Sequence, residues 1–90
     1  MPHHHHQKIL DIRQTNTSLD SILSTLQEVV DKLREQRAVT INNKQITLSA
    51  DAYDFKIKYE ILPRGEYSLK FDIISEPGKS HAVEREIQLS

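Results

Sequence analysis

Seven apolar residues, Leu19, Ile22, Leu23, Leu26, Val29, Val30 and Leu33, recur at the i, i+3, i+4, i+7 spacing of one stripe on an α-helix. No other part of the chain has this period, and everything after Gln36 reads with period two, as strands and tight turns. A helix with a single apolar stripe cannot bury itself, and antiparallel strands with one apolar face have the complementary need. The expected fold class is therefore α+β, with one helix packed on one face of a mostly antiparallel sheet, in the order β-α-β-β-β-β-(β).

The individual elements follow from alternation and turn chemistry. Residues 8–13 read as a short first strand, with Leu10 and Ile12 inward and Ile9 on the opposite face. Thr17, followed three residues later by Asp20, resembles a capping box for the helix, and Ser18 is the alternative cap. Asp20 near the helix start, and Lys32, Arg34 and Arg37 near its end, carry the signs that the helix dipole favours. Residues 37–49 read as a hairpin, with Val39, Ile41, Ile46 and Leu48 on one side and Asn42-Asn43 as its turn, because Asn tolerates positive φ.

The alternation is cleanest over residues 53–61, where Tyr53, Phe55, Ile57, Tyr59 and Ile61 face one way and Asp54, Lys56, Lys58 and Glu60 the other. After a turn at Pro63-Arg64-Gly65-Glu66, Tyr67, Leu69, Phe71 and Ile73 alternate again, with Ile74 breaking the polar row. Glu76-Pro77-Gly78-Lys79 reads as a type II turn, and residues 81–89 as a charged edge strand interrupted at Arg85. The expected core is Leu23, Leu26, Val30, Phe55, Ile57, Tyr59, Leu69 and Phe71. Residues 7–90 are expected to form one α+β domain, preceded by a flexible His-rich tail at 1–6 that is either a tag remnant or native.

Composition narrows the functional classes. Hydrophobic residues make up 37% of the chain, below the globular average of about 45–50%. The core is thus small and aliphatic, and a dimer that covers more apolar surface would help it. With no cysteine, disulfides and thiolate chemistry are excluded, which fits a cytoplasmic protein. No apolar run exceeds two residues, so neither a membrane span nor a signal peptide is expected. Twelve basic and thirteen acidic residues are interspersed, without the basic stripe usual in nucleic-acid binders.

No catalytic constellation emerges. Gly65 and Gly78 both sit in turn contexts, so no phosphate loop or dinucleotide fingerprint can be built. His81 is the sole histidine outside the terminal run, and neighbouring Ser80 would point to the opposite face of a strand. The carboxylate pairs Asp51/Asp54 and Glu84/Glu86 read as solvated surface, because a general acid needs a cleft that raises its pKa. A flexible histidine run holds no preformed ligand geometry, so no metal and no cofactor is assigned.

Protein association is the leading expectation: a non-catalytic protein-interaction or self-associating accessory domain, with a protein partner or a second copy (a homodimer) as its ligand. The open sheet edges and the outward apolar residues Ile9, Leu62 and Ile74 are its candidate interface. The alternative is weak, salt-sensitive binding of single-stranded nucleic acid by Lys56, Lys58 and Lys70 on the outer sheet face. Asp54, Glu60 and Asp72 alternate with those lysines, and the aromatics lie on the other face.

From Gln7 to Ile74 the order of elements resembles that of the small amphi-Trp domains of bacteria and archaea. The resemblance is carried by a short N-terminal strand, by the helix Leu19 to Leu33 running into Arg34-Glu35-Gln36-Arg37-Ala38-Val39-Thr40-Ile41, by the turn and return strand Asn42-Asn43-Lys44-Gln45-Ile46-Thr47-Leu48, and by the alternating strands Phe55-Lys56-Ile57-Lys58-Tyr59-Glu60 and Tyr67-Ser68-Leu69-Lys70-Phe71-Asp72-Ile73. Gln36 or Arg37 stands where that family usually has glycine, and the family's tryptophan is absent. The resemblance implies a small cytosolic α+β domain with an accessory role and no catalytic residues.

Overall fold

The computed structural model describes residues 7–76 and 81–90. The terminal tail at 1–6, and the turn expected around Pro77 and Gly78, lie outside the described residues. The fold is α+β, with one helix packed on antiparallel strands: α1 (Leu19–Gln36), β1 (Ala38–Ile41), β2 (Lys44–Thr47), β3 (Asp54–Ile61) and β4 (Tyr67–Ile74). The strands form two antiparallel pairs, β1 with β2 and β3 with β4. The chain divides into two compact units, Met1–Ser49 and Ala50–Ser90.

In the first unit, Ser18 caps α1. Its extended backbone (φ −75°, ψ 155°) lets its Oγ accept the Ser21 N–H at 3.1 Å, which satisfies one of the orphan donors of the first turn. Of the two candidate caps, Ser18 is thus the one used. The helix ends where Arg37 enters the left-handed region (φ 58°, ψ 17°) and donates its N–H to the Leu33 carbonyl at 2.9 Å.

The chain then turns directly into β1, and Asn42 and Asn43, both at positive φ (47° and 67°), close the two-residue turn to β2. Val39 pairs with Ile46 on the inner face of this hairpin, while Thr40 and Thr47 lie outward and exposed. The Leu48 N–H donates to the Arg37 carbonyl at 2.8 Å, which extends the ladder past β2. α1 packs on β1; Val29 and Leu33 are half-buried, as are Ile41, Ile46 and Leu48, and Val39 is buried.

Residues 8–13 form no strand. The Lys8 ammonium reaches the Asp11 carboxylate at 3.2 Å. Residues three apart on a strand point to opposite faces, so this contact requires a turned backbone. No strand among the described residues pairs with the segment, and without a ladder its alternation has nothing to register against.

In the second unit, Tyr53 stands just ahead of β3, and its phenolic oxygen accepts the Ala50 N–H at 2.7 Å. The β3–β4 ladder is in full register from Asp54 opposite Ile74 to Ile61 opposite Tyr67. Its loop is closed by two bonds, from the Gly65 N–H to the Leu62 carbonyl at 2.8 Å and from the Leu62 N–H to the Glu66 carbonyl at 2.7 Å. Pro63 presets the first corner of this turn, and Gly65 takes the left-handed corner at φ 85°. Residues 81–90 carry no strand. A charged stretch interrupted at Arg85 offers no continuous apolar row to hold it on a sheet.

Burial departs most from expectation. Val39 and Ala52 are the buried hydrophobic residues among those described. Leu23, Leu26, Val30, Phe55, Ile57, Tyr59, Leu69 and Phe71, expected as the core, are 43–69% exposed. Alternation identifies which face of an element is apolar; it does not supply the layer that covers it.

Candidate functional site

The β3–β4 hairpin carries the largest apolar surface in its unit. Its odd-numbered residues form four directly opposed pairs: Phe55 with Ile73, Ile57 with Phe71, Tyr59 with Leu69, and Ile61 with Tyr67. Each pair matches an aromatic ring with an aliphatic side chain, one of the favourable cross-strand combinations. The rings also meet on the diagonals. Phe55 and Phe71 stack with centroids 6.4 Å apart and planes within 6°, and Tyr59 and Tyr67 stack at 6.0 Å and 16°.

This face is ordered, yet open to water. Between 43 and 69% of the area of each of its eight residues remains exposed. For side chains that bury about 150–250 Å² when covered, that leaves on the order of 800 Å² of apolar face. A typical soluble monomer shows patches of about 300–600 Å² at most. The figure matches one partner's share of a standard protein interface, about 800 Å².

The opposite face of the same hairpin is charged. Asp54, Lys56, Lys58 and Glu60 lie across from Ile74, Asp72, Lys70 and Ser68, in that order. The register thus sets Lys58 directly against Lys70, and Glu60 lies between the two ammonium groups, at 3.6 Å from Lys58 and 3.7 Å from Lys70. Lys56 sits across from Asp72. The three candidate nucleic-acid contacts therefore share one face as expected, but two of them converge on a carboxylate and the third lies opposite one. The aromatic rings that would stack on bases are on the other side of the ladder.

Leu62 and Ile74, the two candidate interface residues of the second unit, lie at opposite ends of the hairpin. Leu62 is half-buried at the turn, where its backbone makes both closing bonds. Ile74 is 43% exposed at the far end of the hairpin, across from Asp54. The length of β3 separates the two, roughly 25 Å at about 3.3 Å per residue. Ile9 belongs to the other unit, in the segment without regular structure, and is 66% exposed. The residues that sequence reasoning assigned to the interior, at odd positions of β3 and β4, are the ones that form a contiguous apolar surface. Their signal was the alternation itself.

Elsewhere, a groove of about 740 Å³ between α1 and β1 is lined in part by Glu28, Lys32 and Glu35, all exposed. A second, of about 750 Å³, lies between residues 52–55 and 81–87. Among the described residues no polar or charged side chain is buried, no cluster of three or more His, Cys, Asp or Glu is placed to hold a metal ion, and no helix is long and apolar enough to cross a membrane. No family model, no curated protein and no solved structure matches the chain.

Proposed function

We propose that this chain is a non-catalytic association module that binds protein, in the first instance a second copy of itself, through the β3–β4 hairpin. One observation carries the reading: eight large apolar residues form an ordered, unbroken face that stays 43–69% exposed. A two-stranded hairpin is marginal in water on its own, and more strands or a covering layer would stabilise it. From the helix onward the chain's element order resembles that of amphi-Trp domains, a likeness in keeping with an accessory role. Nucleic acid fits this hairpin less well, because the lysines and the rings lie on opposite faces.

The test is the molar mass in solution by size-exclusion chromatography with light scattering, from low to high micromolar protein. The expected result is a species of twice the chain mass that dissociates on dilution. A monomer at every concentration would sink the self-association reading.

A further inference from the structure

We infer that the free edge of β4 is where two copies join, antiparallel and centred on Phe71; this rests on the self-association reading above and specifies its geometry. Among the described residues β3 and β4 pair only with each other, so each has one edge whose backbone groups meet no other strand. Joining two copies at such an edge gives a closed two-fold dimer, in which residue i lies opposite j and j opposite i. Facing residues share a side of the sheet, so the apolar row stays on one face only when odd residues meet odd ones.

Those rules leave each eight-residue strand two self-pairing registers that overlap by seven residues. On β3, centring on Ile57 sets Lys56 against Lys58 and Asp54 against Glu60, and centring on Lys58 sets that lysine against itself. On β4, centring on Lys70 does the same. The remaining register is free of like-charge pairs: Lys70 meets Asp72 of the second copy, Asp72 meets its Lys70, Leu69 meets Ile73, Ser68 meets Ile74, and Phe71 meets Phe71. Like charges directly opposite destabilise a ladder and opposite charges support it. Among these four seven-residue registers the charge pattern thus selects one edge and one register.

Two further observations agree. Within the hairpin Lys70 faces Lys58, and both draw on Glu60. A second copy brings Asp72 to the other side of Lys70. The groove beside residues 81–87 is lined by Asp54 and Phe55 at the start of β3 and by no residue of β4. The joined sheet has four strands, and its central pair sets the two Phe55–Phe71 stacks side by side on one continuous apolar face.

Charge exchange tests this geometry. Lys70→Asp and Asp72→Lys each place like charges opposite one another at two positions, and each alone should dimerise at least tenfold more weakly than the parent chain. An equimolar mixture of the two should recover a heterodimer. Positions 70 and 72 are then both acidic in the first variant and both basic in the second, so each facing pair across the joint has opposite charges. Full-strength dimerisation of either variant alone would overturn the β4 register while leaving self-association standing. A parent chain that stays monomeric would overturn both. A second measurement does not depend on those variants folding. The chain has no cysteine, so Phe71→Cys should oxidise to a covalent dimer and Ile57→Cys, at the centre of β3, should not; the reverse pattern would overturn the proposal.

Discussion

The hairpin of β1 and β2 has four-residue strands, a two-residue turn and an inner face with Val39 buried; the hairpin of β3 and β4 has eight-residue strands, a perfect ladder and an inner face mostly in water. By alternation, strand length and aromatic content the second is the stronger element. By burial it is the weaker. The difference is that α1 packs on β1, so the short hairpin has a second layer. Strand quality sets the regularity of a hairpin, whereas an opposing layer sets how much of its apolar area leaves water.

The sharpest way to break this comparison is to put the same charge into both faces. Val39→Asp buries a carboxylate without a partner and should cost about 3 kcal/mol or more, enough to unfold a small unit. The change reads out as loss of the helical signal at 222 nm, since α1 is the chain's sole helix among the described residues. Tyr59→Asp changes a residue that is 69% exposed. It should cost a monomer less than about 1 kcal/mol. If Tyr59→Asp cost the dilute protein as much as Val39→Asp, the β3–β4 face would be covered within a single chain and the contrast between the hairpins would collapse.

The turns give a smaller contrast. Gly65 sits at φ 85°, and a Cβ built there meets nothing within 4 Å, so Gly65→Ala is resisted by the backbone alone. The expected cost is about 1 kcal/mol, from the penalty of the left-handed region for an L-residue. All three tyrosines, Tyr53, Tyr59 and Tyr67, lie in the second unit, so near-ultraviolet dichroism follows that unit as it unfolds in urea. An unchanged midpoint would mean that the loop relaxes out of its positive φ at no cost.

These substitutions also mark what sequence could and could not convey. The Leu19–Leu33 stripe, the Asn42-Asn43 turn and the two long alternations each state a local preference strong enough to survive in the structure, within one to three residues at their ends. The segments that failed, 8–13 and 81–89, have the alternation of strands but no partner strand among the described residues, and a strand is defined by its partner. The candidate site was lost for a related reason. The odd residues of β3 and β4 are apolar whether a helix, a second copy or water lies over them, so the pattern marks the face and stays silent about its cover. The charge rows are more specific. Lys56, Lys58 and Lys70 were legible as one face, and only the register showed that Lys58 and Lys70 meet around Glu60.

The smallest expected effect lies where α1 hands over to the covered hairpin. Arg37 takes φ 58° at the position after a helix that glycine usually fills, and it does so with its backbone engaged on both sides, its N–H on Leu33 and its carbonyl on Leu48. Those bonds hold an arginine in a conformation that costs an L-residue about 1 kcal/mol or more. Arg37→Gly removes that strain and keeps both bonds. Against this stand the greater freedom of glycine in the unfolded chain and the loss of a cation near the negative end of the helix, each worth a few tenths of a kcal/mol or more. The balance should stabilise the first unit by about 0.5 kcal/mol, a rise of roughly 2–4 °C in the helix melting temperature. The same substitution should leave the tyrosine signal of the β3–β4 hairpin unmoved. A fall in melting temperature would show that the arginine side chain does more at this corner than its backbone, and that the handover from helix to strand depends on charge rather than on φ.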